Sequence, residues 1–148
     1  MTAEPRLARL DVFVGEWDVS ADFPTMGEMA GAVSTFEWTL DGRFLVQRNE
    51  TPIPEAPDGL MVVAADGDGY TQHYFDSRGV VRVYRMSFDG EQWRLWRDTA
   101  DFSPLDFRQR FTGRFDAAGD TITGAWETSA DGTTWEHDFT LTYRRRAS

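Results

Sequence analysis

The sequence predicts an all-β protein: a single up-and-down antiparallel β-barrel of about ten strands, with a short N-terminal helix closing one end. Two observations carry this. Turn signals recur at close intervals, at Asp41-Gly42, Asp66-Gly67-Asp68-Gly69, Asp76-Ser77-Arg78-Gly79, Asp89-Gly90, Ala118-Gly119-Asp120 and Asp131-Gly132, as they do between hairpin-connected strands. The segments between them are rich in aromatic and β-branched residues and mostly alternate apolar with polar side chains, the mark of strands buried on one face. Strands of this kind closed into a barrel leave no exposed edge and enclose room for a ligand. A β-sandwich of the same strands is the competing arrangement.

Taken in order, Pro5-Arg6-Leu7-Ala8-Arg9-Leu10-Asp11-Val12-Phe13 sets Leu7, Leu10 and Phe13 at helical spacing, suited to a plug. Strands are expected near Gly15–Phe23, Gly31–Leu40, Arg43–Thr51, Leu60–Ala65, Tyr70–Phe75, Val80–Phe88, Gln92–Asp98, Phe107–Phe115, Thr121–Thr128 and Thr133–Arg145. Two proline-bearing stretches, Thr51 to Gly59 and Thr99 to Asp106, break the strand period and read as longer loops bordering the barrel mouth. One domain spanning residues 1–148 accounts for the whole chain.

Composition removes several chemistries. Cysteine is absent, which excludes disulfides, thiolate metal sites and cysteine nucleophiles. All 15 basic side chains are arginine, so no lysine is present to form a Schiff base or act as a base. A net charge of −10 repels nucleic-acid backbones and anionic lipid surfaces, so neither partner is expected. The start Met1-Thr2-Ala3-Glu4-Pro5 has no basic region followed by an apolar run, and a cytoplasmic protein is expected. A homodimer is compatible with the sequence. Asp66-Gly67-Asp68-Gly69 lacks the later acidic ligands of a calcium loop and reads as a turn. No Gly-x-Ser-x-Gly elbow, His-Glu-x-x-His motif or phosphate-binding glycine loop occurs, and no metal site is expected.

Strand phase nominates the interior. In β-strand 107–115 the odd positions are mostly aromatic, so Phe111 and, between Phe107 and Phe111, Gln109 point inward. In the strand at 80–88, Arg82 shares its parity with Tyr84, Met86 and Phe88. An inward arginine needs a partner and can hold a ligand carboxylate, or its head can reach solvent along the rim. In Trp135-Glu136-His137-Asp138-Phe139-Thr140-Leu141-Thr142-Tyr143, strict alternation puts His137 on the buried face, as a cavity residue or general base. His73 has aromatics on both parities around it and no assignable face. Six tryptophans are present; Trp38 and Trp126 are read as aromatic lining, flat surfaces suited to an aromatic or polyene-like ligand.

Phe13-Val14-Gly15-Glu16-Trp17 at the first strand resembles the Gly-x-Trp start of calycins, the group that includes lipocalins and fatty-acid-binding proteins. The resemblance implies that Trp17 closes one barrel end beneath an arginine of the last strand. Candidates lie in Tyr143-Arg144-Arg145-Arg146: strand phase favours Arg145, spacing by resemblance favours Arg144. The chain also resembles nitrobindin-like haem barrels, in which a last-strand histidine binds haem iron and an arginine follows seven residues later, the spacing of His137 and Arg144. It departs from them where Asp18-Val19-Ser20-Ala21 replaces a glycine-rich run, and the nearer likeness is to uncharacterised bacterial barrels of this kind.

The function expected from the sequence is binding of a small hydrophobic or aromatic molecule in the barrel interior, with Trp38, Arg82, Tyr84, Gln109, Phe111, Trp126 and His137 as the site. The alternatives are an acid/base isomerase or cyclase using the same cavity, with His137 or Tyr84 moving the proton, and haem binding through His137. A domain that binds other proteins instead would have its barrel filled solidly by side chains.

Overall fold

The computed structural model describes residues 5–52, 54, 56–102 and 104–146. Met1–Glu4 of the expected cytoplasmic start, and Ile53, Glu55 and Ser103 of the two expected loops, lie outside the described residues, as do Ala147 and Ser148. The chain is all-β apart from one short helical segment at its start, Pro5–Ala8 (α1) running into a 3-10 turn over Arg9–Phe13. Ten strands follow: β1 (Gly15–Phe23), β2 (Gly27–Thr39), β3 (Phe44–Glu50), β4 (Gly59–Asp66), β5 (Gly69–Asp76), β6 (Val81–Phe88), β7 (Gln92–Arg97), β8 (Arg108–Phe115), β9 (Thr121–Ser129) and β10 (Glu136–Arg145). Each pairs antiparallel with its sequence neighbours, and β1 pairs with β10, so the sheet is one closed up-and-down barrel. The sandwich alternative is thereby excluded. Among the described residues no helix is long and apolar enough to cross a membrane.

Two strand starts differ by more than one residue from those the sequence suggests, each for a local reason. β2 begins at Gly27 rather than Gly31 because Met29 to Gly27 continue the pairing with Ala21 to Phe23. One extra β2 residue is accommodated as a bulge where Gly31 adopts φ +98°, a conformation L side chains rarely take. β10 begins at Glu136 rather than Thr133 because the preceding residues form a capped turn. Asp131 Oδ1 accepts hydrogen bonds from the Thr133 and Thr134 amides, both at 2.8 Å, and Ser129 Oγ accepts one from the Gly132 amide at 2.8 Å.

The two barrel ends are built differently. The N-terminal segment seals one of them, with Leu7, Leu10 and Phe13 all buried as the helical spacing predicts. The Phe13 ring is the centre of an aromatic floor, with centroids 4.9–5.2 Å from Phe36, Phe88, Trp93 and Phe115. Trp17, wholly buried, donates its indole N–H to the Phe13 carbonyl at 2.9 Å. Arg145 is paired with Trp17 across β1 and β10, and its guanidinium lies 4.2 Å over the indole. Its Nη1 also donates to the Val14 carbonyl at 2.7 Å. Strand phase is therefore the correct guide to this arginine; Arg144 points outward and is exposed.

At the opposite end lie the β1–β2, β3–β4, β5–β6, β7–β8 and β9–β10 connections, including both long loops. The wall is incomplete here. β6 pairs with β7 only from Arg85 to Phe88, because β7 ends at Arg97, and the Val83 amide nearer the rim donates instead to Asp101 Oδ2 at 2.7 Å. The same carboxylate forms a two-pronged pair with Arg97, Nε to Oδ2 and Nη2 to Oδ1 both at 3.0 Å. One side chain of the β7–β8 loop thus does for β6 what a longer β7 would have done through its backbone.

Candidate functional site

In a closed barrel, a side chain that faces inward yet keeps contact with solvent must border a space that opens at one end. The inward faces, fixed by register, change character along the axis. Toward the floor, Trp17, Phe36, Phe88, Trp93, Phe115, Ile122 and Tyr143 are buried. Toward the open end, Val19, Ala32, Asn49, Tyr74, Arg82, Gln109, Trp126 and Leu141 share those inward faces and are only half-buried. The upper barrel therefore encloses an accessible lumen above an aromatic floor.

Most of the predicted site residues meet in this lumen. Tyr84 donates its hydroxyl to Gln109 Oε1 at 2.8 Å, and Arg82 Nη1 reaches the same oxygen at 3.4 Å. The Tyr84 ring packs edge-on to Trp126 with centroids 5.6 Å apart, and Trp126 lies 5.3 Å from Phe111. Burial raises the Tyr84 phenol above its usual range, with the charges of Arg82 and Arg97 opposing the shift. Tyr84 is accordingly a neutral hydroxyl donor rather than a phenolate base.

Two predicted residues lie elsewhere. Trp38 is on the inner face but at the closed end, where its indole N–H donates to Asp11 Oδ1 at 2.7 Å; it braces the plug. His137 is exposed on the outside. Pairing passes from His137 opposite Glu127 to Phe139 opposite Trp126, so β10 carries one extra residue at Asp138. A bulge of this kind reverses the side-chain alternation, and strict parity counted from Tyr143 fails there. His73 pairs with Val62 between the inward Gln72 and Tyr74, and so also faces out. Haem held in the lumen through His137 does not fit this geometry, because the imidazole is on the wrong side of the wall. Among the described residues no three metal-ligating side chains gather as a site.

The Phe111 ring is seated on two glycines paired across β8 and β9, Gly113 and Gly124. A Cβ at Gly124 would stand 2.3 Å from Phe111 Cζ, and one at Gly113 would stand 2.8 Å from Cε2. Gly124→Ala is expected to drive the ring toward the lumen and cost about 1–3 kcal/mol, as overpacked core positions do. Unchanged thermal unfolding in that variant would show that the ring has room to move.

Lumen charge is decided by which carboxylates are already engaged. Asp76, near the rim, accepts from the Tyr74 hydroxyl at 2.8 Å and pairs with Arg78 at 2.6 Å. Burial opposes its ionisation, but Arg78, Tyr74 and backbone amides together hold it at about 2. Asp101 is engaged with Arg97. Arg82 has no carboxylate partner among the described residues; its Nε is buried without a hydrogen-bond partner, and its guanidinium carbon lies 6.0 Å from the Phe107 ring centroid.

A second polar group was not signalled by sequence reasoning. Ser34, Gln47 and Asn49 face inward from β2 and β3. Gln47 Nε2 donates to Ser34 Oγ at 3.0 Å and to Asn49 Oδ1 at 3.1 Å, and Ser34 Oγ donates to Asn49 Oδ1 at 2.7 Å. Tyr143 lies near the same amide; burial pushes its phenol up to about 12, with the Gln47 side chain opposing that rise. The only advance signal was parity, which sets Gln47 in phase with Leu45. Outside the barrel, a groove of about 290 Å³ at the closed end is lined by Arg9, Arg94, Asp68 and Asp89 among others, a mixture of signs that selects no charge.

No family model matches the sequence, and no curated protein matches it. The fold does have a counterpart among solved structures: the crystal structure of Rv2717c from M. tuberculosis aligns over 99% of this chain and 100% of that one, with a TM-score of 0.64 at 16% identity. At that identity the likeness is one of fold, and the chain is similar to Rv2717c as a barrel over essentially the full length of both.

Proposed function

We propose that the protein binds a small molecule with an apolar or aromatic body and an acidic group, held in the lumen with the acid against Arg82. The single observation that carries this reading is the inward Arg82, whose Nε is buried and unpartnered while the neighbouring Asp76 and Asp101 are engaged elsewhere. A guanidinium N–H buried without an acceptor is costly, and a ligand carboxylate relieves it with charge-assisted hydrogen bonds. Tyr84 and Gln109 orient the guanidinium, while Phe111 and Trp126 offer flat apolar surface for the body. Tyr84 is committed to Gln109 and made less acidic by burial, which favours binding over proton transfer. The Gly15-Glu16-Trp17 start with Arg145 over the indole supports placing the chain among calycin-like barrels, beside the uncharacterised bacterial ones.

Naphthoic acid and its methyl ester test the reading through quenching of tryptophan emission. The acid is expected to bind saturably and more tightly than the ester. Arg82→Gln is expected to weaken the acid by about tenfold or more, the worth of a hydrogen bond to a charged group, and to leave the ester unchanged. Equal affinity for acid and ester in the unaltered protein would refute the assignment of Arg82.

A further inference from the structure

Gln47 is 1% exposed and directs its amide inward from β3. Both bonds that its side chain makes to Ser34 and Asn49 leave from Nε2, and Asn49 Oδ1 is occupied twice. What remains is Gln47 Oε1, a buried acceptor with no hydrogen-bond partner even though Tyr143 is close by. With Asn49 as it stands, a Gln47 amide turned over by itself would set Oε1 against the acceptor Oδ1 of Asn49, which already takes the Ser34 hydroxyl. An acceptor in this state is expensive unless something supplies a donor.

Position gives that acceptor a meaning. Gln47 pairs with Phe36, whose ring packs on Phe13, so it sits just above the aromatic floor. Arg82 lies close to the β5–β6 turn, near the open rim. In the closed strand order β3 stands opposite β8, which carries Gln109. The lumen thus presents a cationic donor near the mouth on β6 and an uncharged acceptor deeper on β3, three strands away, with Phe111 and Trp126 on the wall that faces β3 and β4.

We propose that Gln47 Oε1 is a specificity-determining acceptor for a hydroxyl or N–H group at the buried end of the ligand. Taken with the reading of Arg82, on which this deeper assignment rests, the ligand class is an aromatic or similarly flat acid carrying a hydrogen-bond donor at the end remote from its carboxylate. It enters donor first, and its acid stays near the rim.

Three probes separate these claims: naphthoic acid, the hydroxynaphthoic acid with its hydroxyl on the far ring, and the corresponding methoxy compound. In the unaltered protein the hydroxy acid is expected to bind about tenfold more tightly than naphthoic acid, the value of one well-placed buried hydrogen bond. The methoxy compound, which cannot donate, is expected to gain nothing. In Gln47→Met the hydroxyl preference is expected to vanish while naphthoic acid binds as before, with a melting temperature close to that of the parent because the Ser34–Asn49 bond survives. The comparison of hydroxy and methoxy compounds in the unaltered protein decides the matter even if that variant does not fold. A hydroxy acid no tighter than naphthoic acid, or a preference that persists in Gln47→Met, overturns the role of Gln47 and leaves that of Arg82 standing. Failure of all three acids to bind overturns both.

Discussion

Trp17→Ala is expected to lower unfolding free energy by about 3–5 kcal/mol, the range for truncating a large buried aromatic. The indole is wholly buried, lies edge-on to Phe115 and Tyr143 at 6.1 and 6.5 Å, and carries the Arg145 guanidinium on its face at 4.2 Å. Its removal takes away packing, the bond to the Phe13 carbonyl and the cation–π contact together. Arg145 is not orphaned, because it still donates to the Val14 and Gly119 carbonyls. The cost is therefore one of lost contact and cavity rather than stranded charge. Urea unfolding followed by circular dichroism measures it, and a loss below about 1 kcal/mol would contradict a closing role for this residue.

Asp101→Ala is expected to cost a comparable amount, about 3 kcal/mol or more, for the opposite reason. The side chains of the Arg97–Asp101 pair are only 3% and 12% exposed, and the variant leaves a guanidinium buried without its counter-ion. It also takes the acceptor from the Val83 amide. The Arg48–Glu37 pair on the outer surface, with both side chains more than half exposed, offers the contrast, since breaking such a pair costs about 0–1 kcal/mol. The double variant Arg97→Met with Asp101→Ala is expected to recover much of the loss, because the uncompensated charge is gone. Equal destabilisation in the single and double variants would place the whole cost in the loop rather than in the buried charge.

How much of this was legible in the sequence depended on whether alternation stayed regular. Phe111, Gln109, Tyr84 and Arg82 lie in strands that keep a strict period of two, and parity alone placed them together. His137 was misplaced by the same rule, because the extra residue at Asp138 reverses the faces of β10 and nothing in the composition there announces it. Trp38 was expected to line the cavity but lies at the closed end against Asp11, since the sequence carries no measure of height along the barrel. Gln47, Ser34 and Asn49 went unread because inward polar residues break the apolar pattern that identifies an inward face. Asp101 was hidden in a loop, where periodicity says nothing. Register and height are properties of strands that meet across long sequence separations, and the hairpin turns fix only the local part of them.

The junction of β1 with β10 has a further consequence, for the order in which the barrel can form. Nine of its ten seams join neighbours in the chain and are hairpins, whereas Arg145 reaches Val14 across 131 residues. Closing that seam requires nearly the whole chain to be in place, and the entropy of so large a loop must be met before Trp17 gains its cover. A chain still emerging during synthesis would hold the hairpins in an open, curled sheet whose two edge strands and aromatic floor remain in water. The residues that make the finished floor most stable are therefore those most exposed to association with other chains until the last strand arrives.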